Sequence, residues 1–267
     1  MLKDITLGQY FPGNSIAHKL DPRTKILLVT LYIIALFSAK GWMGYAVMAV
    51  TLAACVKVSH VGLRALVRGL KPLVFIIAFT GILNMFFTPD THYLWEWGIL
   101  RVSVKGIENA LFMVIRIMLL VMGTFLMTYT SPIRLTDGLE SLLNPLKKIR
   151  VPVHELAMMM AIALRFIPTL IEETDKIMSA QKARGADFDS GNIFQKAKAL
   201  VPILVPLFIS AFRRADELAT AMECRCYHGG EGRTKLHVLK YQRRDYVALA
   251  GGVVILALVV VLRRLGA

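Results

Sequence analysis

Five apolar runs alternate with short polar segments along this chain: Ile26 to Ala39, Trp42 to Val58, Pro72 to Thr88, Gly106 to Tyr129 and Tyr246 to Leu262. A helix needs about 20 apolar residues to cross a hydrocarbon core roughly 30 Å thick. The first two runs fall at the low limit, and Lys25 and Lys57 at their ends can lengthen them by snorkelling. The pattern predicts five membrane spans. The segment from Pro89 to Val104 carries Tyr93, Trp95 and Trp97 among few cations, the composition of an external interfacial loop. Asp21 and Pro22, and later Ser131 and Pro132, read as N-cap and first helical position of new helices.

A different pattern fills the chain between the fourth and fifth runs. Leu135, Leu139, Leu142 and Leu143 recur at helical spacing, giving an amphipathic helix that Asn144 and Pro145 break. Two long helices follow within Val151 to Gly232. The first is apolar on all sides from Leu156 to Leu164, includes Met158, Met159 and Met160, and turns polar after Pro168. The second is apolar from Ala199 to Phe212, with Pro202 and Pro206 inside, and polar from Arg213. A shift of 41 positions lays one on the other: Asp175 on Asp216, Ala180 on Ala221, Arg184 on Arg225. Such internal similarity is sought before any fold assignment. Both helices end in an arginine between small residues, Ala183, Arg184, Gly185 and Cys224, Arg225, Cys226. The repeat favours equal depth for the two, lying in the membrane plane with their arginine ends in water.

Composition agrees with a membrane protein. The 267 residues are 56% hydrophobic and only 19% charged, with a mean hydropathy of +0.57; a soluble domain is nearer 45–50% apolar. The formal net charge of +14 is explained by cations on cytoplasmic loops, and no groove-reading or base-stacking module speaks for nucleic acid. Lys19, Arg23 and Lys25 hold the N-terminal arm with its Tyr10 to Asn14 turn inside, and His60, Arg64, Arg68 and Lys71 mark a second cytoplasmic loop. With five spans the C-terminus lies outside, against the sign of Arg263 and Arg264. The first twenty residues hold no apolar core for a cleavable signal.

Candidate chemistry is sparse. Cys55 lies in an apolar run while Cys224 and Cys226 are one residue apart, so no disulfide framework is expected. Cys224, Cys226 and His228 lack metal-ligand spacing and a fourth ligand. Glu172 and Glu173 have no accompanying nucleophile and read as a solvated helix face, and the acidic turn at Asp187, Asp189, Ser190 and Gly191 offers no paired motif residues around a metal. No phosphate-binding glycine loop is present. No catalytic residue, metal or cofactor is expected in this chain. Asn84 and Arg116 sit inside apolar runs; an intramembrane arginine faces protein or water, here either a moving partner subunit or an internal pair, for which a carboxylate elsewhere in the bundle is one candidate. A guanidinium is a rigid fork of five donors and anchors a stiff helix roughly 40 Å long. The duplicated arginine therefore reads as a pair of docking points that receive force from partner subunits. A self-contained secondary transporter, motivated by Arg116 and Asn84, is the other reading, although no repeat relates the membrane runs.

The segments Leu20 to Lys25, Ser131 to Leu143, His154 to Phe188 and Ile209 to Thr234, with both arginine motifs, resemble the transmembrane scaffold, or T component, of energy-coupling factor transporters of the ABC class. These are bacterial importers of vitamins and metals. The resemblance covers nearly the whole chain; it departs at Cys224 and Cys226, which replace the usual small residues. It implies an all-α polytopic protein of the bacterial inner membrane, itself no enzyme. Its parts would be an arm with four transmembrane helices in 1–130, a cytoplasmic coupling domain in 131–245 and a last transmembrane helix in 246–267. It implies that Ala183, Arg184, Gly185, Cys224, Arg225 and Cys226 tip two crossed coupling helices in grooves of two ATPase subunits. A separate membrane subunit would bind the substrate and rest on the helices' apolar faces.

Overall fold

A computed structural model of the chain describes residues 15, 17–59, 69–88, 93–97, 100–124, 130–186, 188, 193–230 and 238–265. The Tyr10 to Asn14 turn, His60, Arg64, Arg68, Asp187, Asp189, Ser190 and Gly191 lie outside them, as do 125–129 and 231–237. The fold is helical: α1 (Pro22–Ser38), α2 (Gly41–Ser59), α3 (Val74–Phe87), α4 (Val104–Thr124), α5 (Pro132–Leu143), α6 (Val153–Ala183), α7 (Ile193–Glu223) and α8 (Arg243–Leu265). One expectation is corrected between α3 and α4. In place of a plain loop the chain forms an antiparallel hairpin, β1 (Tyr93–Trp97) on β2 (Leu100–Ser103), with Trp97 opposite Leu100 and an irregularity between Tyr93 and Trp95. The aromatic and β-branched residues that mark an interfacial loop also favour strands.

The chain divides into two units, one containing Leu139–Val238 and the other joining Gln9–Gly138 with Leu239–Ala267. In the second unit, α2, α4 and α8 are long and apolar enough to cross a membrane, α3 with its preceding turn is a shorter apolar helix, and α1 has 17 residues. Their core gathers Ala35, Leu36, Ala39, Tyr45, Met48, Leu52, Leu119 and Val259 from α1, α2, α4 and α8. Outward faces stay apolar, with Phe75 78% and Val254 65% exposed. Such surfaces suit lipid, which offers helices no hydrophobic drive to hide them.

The start of α1 is tied to the start of α8. Asp21 caps α1 by accepting the Arg23 backbone N–H. The carboxylate of Asp245, fully buried, accepts the backbone N–H groups of Asp21 at 2.9 Å and Gln242 at 2.8 Å. Arg23 donates to the Leu239 carbonyl at 2.7 Å and lies over the Tyr241 ring. Further along, Gly252 meets Leu28. Both meeting pairs, Asp21 with Asp245 and Leu28 with Gly252, lie 224 positions apart in sequence. The two helices therefore run parallel and begin on one side.

The intramembrane polar groups find partners inside the same unit. The Arg116 guanidinium donates to the Tyr45 hydroxyl from Nε at 2.9 Å and from a terminal nitrogen at 2.6 Å, beside the Phe37 ring. Arg116 is thus paired internally, with a phenol. Asn84 donates to the Thr80 carbonyl and to Met113 Sδ.

Candidate functional site

The first-named unit holds the two long helices, each of 31 residues and so about 46 Å long. α6 is also long and apolar enough to cross a membrane. Its apolar stretch ends before Glu172, where the polar half begins. Pro168, Pro202 and Pro206 sit inside unbroken helices. Pro206 has no N–H to give the Pro202 carbonyl, and Gln181 Nε2 reaches that oxygen from α6 at 3.5 Å.

The contacts between α6 and α7 fix their sense. Gln181 meets Pro202, Glu173 meets Ser210 and Arg214, and past the end of α7 Gly230 lies against His154. As one residue number rises the other falls, so the helices are antiparallel. Arg184 and Arg225 consequently terminate opposite ends of the pair, on the order of 40 Å apart.

The two ends are built alike. After α6, the Gly185 N–H bonds the Lys182 carbonyl at 3.0 Å and the Ala186 N–H bonds that of Gln181 at 3.0 Å. After α7, the Cys226 N–H bonds the Glu223 carbonyl at 2.8 Å and the Tyr227 N–H bonds that of Met222 at 3.1 Å. Each set is a Schellman turn, which satisfies carbonyls left open at a helix C-terminus and needs a left-handed residue just beyond it. That residue is Gly185 with φ 87° in the first and Cys226 with φ 55° in the second. The repeat of 41 therefore extends to the backbone hydrogen bonds. It also supplies a reason for a small residue after each arginine that side-chain size alone does not: the position turns left-handed, a conformation glycine adopts without steric cost.

Arg184 and Arg225 are exposed at these turns, as are Ala183, Gly185, Cys224 and Cys226. Among the described residues neither guanidinium has a hydrogen-bond or ion-pair partner. Two unpaired forks of donors, each held by a rigid turn, can accept carboxylates or carbonyls from outside the chain. Cys224, Cys226 and His228 do not close on a metal: among the described residues no three His, Cys, Asp or Glu side chains come together.

Glu173 is not the solvated residue its sequence context predicts. Its carboxylate accepts the Ser210 hydroxyl at 2.5 Å and the Arg214 guanidinium at 2.8 Å, linking α6 to α7. The Ser210 hydrogen bond first, and the Arg214 charge after it, hold this carboxyl below the usual carboxylate range. Arg214 lies 41 positions after Glu173, the repeat interval, so the signal was present in the sequence but its meaning required the antiparallel pairing. The apolar stretch read between Ala199 and Phe212 stays largely uncovered within this unit. Val201, Leu204, Val205, Phe208 and Phe212 of α7 are 48–71% exposed, and the rings of Phe208 and Phe212 stack at 6.4 Å. These residues recur at helical spacing and form one apolar ridge of the kind that marks a contact with another protein or with lipid.

Comparison with known proteins matches this architecture. The family model described as CbiQ, cobalt transport protein, matches residues 13–236. An energy-coupling factor transporter transmembrane protein, EcfT, of Ruminiclostridium cellulolyticum is 52% identical over 263 residues, covering 98% of this chain and 98% of its own length. EcfT of Clostridium kluyveri is 56% identical over 250 residues, 93% of each chain. EcfT of Bacillus subtilis is 46% identical over 264 residues, covering 98% of this chain and all of its own. With a family model spanning most of its length and relatives that match it nearly from end to end, this membrane protein belongs to the CbiQ family of transport proteins.

Proposed function

We propose that this chain is the non-catalytic coupling subunit of an energy-coupling factor importer for a vitamin or other micronutrient. Arg184 and Arg225 each dock in one ATPase subunit, and ATP-driven closure of the two ATPases moves the helices behind them. The ridge of α7 carries that motion to a separate membrane subunit that binds the substrate. One observation carries the reading: two helix ends with the same hydrogen-bonded turn present guanidinium groups, unpaired among the described residues, at opposite ends of a stiff antiparallel pair. A spacing on the order of 40 Å suits two separate partners and not one pocket. Relatives named as transmembrane components of energy-coupling factor transporters support it.

The cation distribution supports a cytoplasmic position for the starts of α1 and α8. α1 and α8 begin on one side, with Arg23, Lys25, Arg243 and Arg244 there, and positive residues favour the cytoplasm. Arg263 and Arg264 then end α8 on the far side. The case for a self-contained secondary transporter weakens, because Arg116 is already engaged by Tyr45.

The test is the double variant Arg184→Ala, Arg225→Ala in the assembled transporter. Membrane insertion and helical content should be unchanged, co-purification of the ATPase subunits should fall sharply, and substrate uptake should cease. Undiminished uptake in the double variant would refute the assignment.

A further inference from the structure

We propose that the cleft between α1, α2 and α8 is a binding site for an anionic phospholipid, with one acyl chain in the cleft and the headgroup on Arg243 and Arg244. The cleft has a volume of about 880 Å³ and lies wholly within the unit that contains the core of α1, α2, α4 and α8. Its walls are apolar, with Leu28 and Ala35 from α1, Ala54 from α2 and Ile255 from α8. The cationic groups are confined to one end, where Lys25, Arg243 and Arg244 line it beside Ser59; further along, the Tyr32 and Thr51 hydroxyls are spent on the Leu119 and Val47 carbonyls.

The two arginines at that end are available. Both are exposed, and among the described residues neither has a hydrogen-bond or ion-pair partner. Lys25 differs: it is buried and donates to the Thr130 hydroxyl at 2.8 Å. The mouth thus has two positive charges without an ion-pair partner among the described residues, beside the start of a membrane helix, the level at which lipid headgroups lie.

Depth and shape fit a single leaflet. From Arg244 to Ile255 is eleven residues of α8, roughly 17 Å at 1.5 Å per residue. From Lys25 to Ala35 on α1 is ten residues, roughly 15 Å. Half of a hydrocarbon core is also about 15 Å. Two adjacent glycines of α8 show why the space persists. A Cβ on Gly252 would come within 2.8 Å of Leu28, so this glycine lets α8 close against α1. A Cβ on Gly251 would meet nothing within 4 Å. A free anion would leave the apolar walls unused, whereas a lipid satisfies both parts of the site. Basic pockets between transmembrane helices hold acidic headgroups for this reason. The inference does not depend on the coupling role.

The experiment uses the full chain taken from vesicles of phosphatidylglycerol and phosphatidylcholine in equal amounts, with retained lipid identified by native mass spectrometry. Phosphatidylglycerol should be favoured by about thirtyfold, the equivalent of roughly 2 kcal/mol for two interfacial cations. Arg243→Gln with Arg244→Gln, both at exposed positions, should bring the two lipids to near parity while lipid is still retained. Gly251→Phe, directed into open space, should abolish retention of either lipid without altering helical content by circular dichroism. Equal retention of both lipids by the unaltered chain would overturn the proposal. So would undiminished phosphatidylglycerol on a folded Gly251→Phe chain. A photocrosslinker on Gly251→Cys that captures a partner subunit's helix in place of phosphatidylglycerol would overturn it as well.

Discussion

The turn that ends α7 carries a strain that its counterpart after α6 lacks. Cys226 holds φ at 55°, in the left-handed region, where the equivalent Gly185 holds 87°. For a residue with a Cβ that conformation costs about 1–2 kcal/mol. Cys226→Gly removes the cost, and the extra freedom of glycine in the unfolded chain returns about 0.4–1 kcal/mol of it. Cys226 is exposed, so no packing is lost. The net expectation is a cap more stable by about 1 kcal/mol, or roughly fivefold in the local opening equilibrium. Hydrogen–deuterium exchange of the full chain, read by mass spectrometry on peptides covering Thr220 to Tyr227, measures it directly. The Cys226 and Tyr227 amides, bonded to the Glu223 and Met222 carbonyls, should exchange about fivefold more slowly. Gly185→Ala gives the reciprocal control, with faster exchange at Gly185 and Ala186 by a comparable factor. If Cys226→Gly left exchange unchanged or faster, the two ends would not be the same device, and the argument for twin docking points would lose its structural basis.

Three further outcomes follow from particular contacts. Tyr45→Phe deprives the Arg116 guanidinium of its hydroxyl acceptor and should lower stability by about 1–3 kcal/mol; an unchanged detergent melting curve would show that the pair contributes nothing. Asp245→Ala strands the backbone N–H groups of Asp21 and Gln242, at a cost of about 1–3 kcal/mol for each that stays buried, and Asp245→Asn should restore part of it. Limited proteolysis at the start of α1 and α8 distinguishes the two variants. Because the folded Glu173 carboxyl titrates below its usual range, chiefly through Ser210 and then Arg214, its contribution is full above the ordinary carboxylate range and is lost as pH falls through the depressed value. Glu173→Gln should therefore melt below the unaltered chain at neutral pH, with the difference vanishing in acid; a constant difference would exclude the ion pair as its source.

Much of this protein was legible along the chain because its signals are local. The caps at Asp21 and Ser131 are seen at the expected positions, Ser131 accepting the Arg134 N–H at 3.4 Å. The repeated ends of α6 and α7 were visible at an interval of 41 because a Schellman turn is specified by consecutive residues. The hairpin Tyr93–Trp97 with Leu100–Ser103 was missed, since a few aromatic residues beside a membrane run serve a strand and an interfacial loop equally well. Arg116 left two readings open because periodicity carries no information on which distant side chain will meet it.

Apolar run length, cap chemistry and the internal repeat determined by themselves that this chain is a helical membrane protein with two matching arginine-tipped helices. They are short-range properties, written within one or two turns of backbone. Tertiary structure alone decided that the two tips point to opposite ends of an antiparallel pair, that Glu173 joins Arg214, that Tyr45 receives Arg116, and that Asp245 binds the start of α1 to that of α8. Each of these is set by which surfaces pack together, a choice governed by shape and by the need to pair buried polar groups across long stretches of sequence.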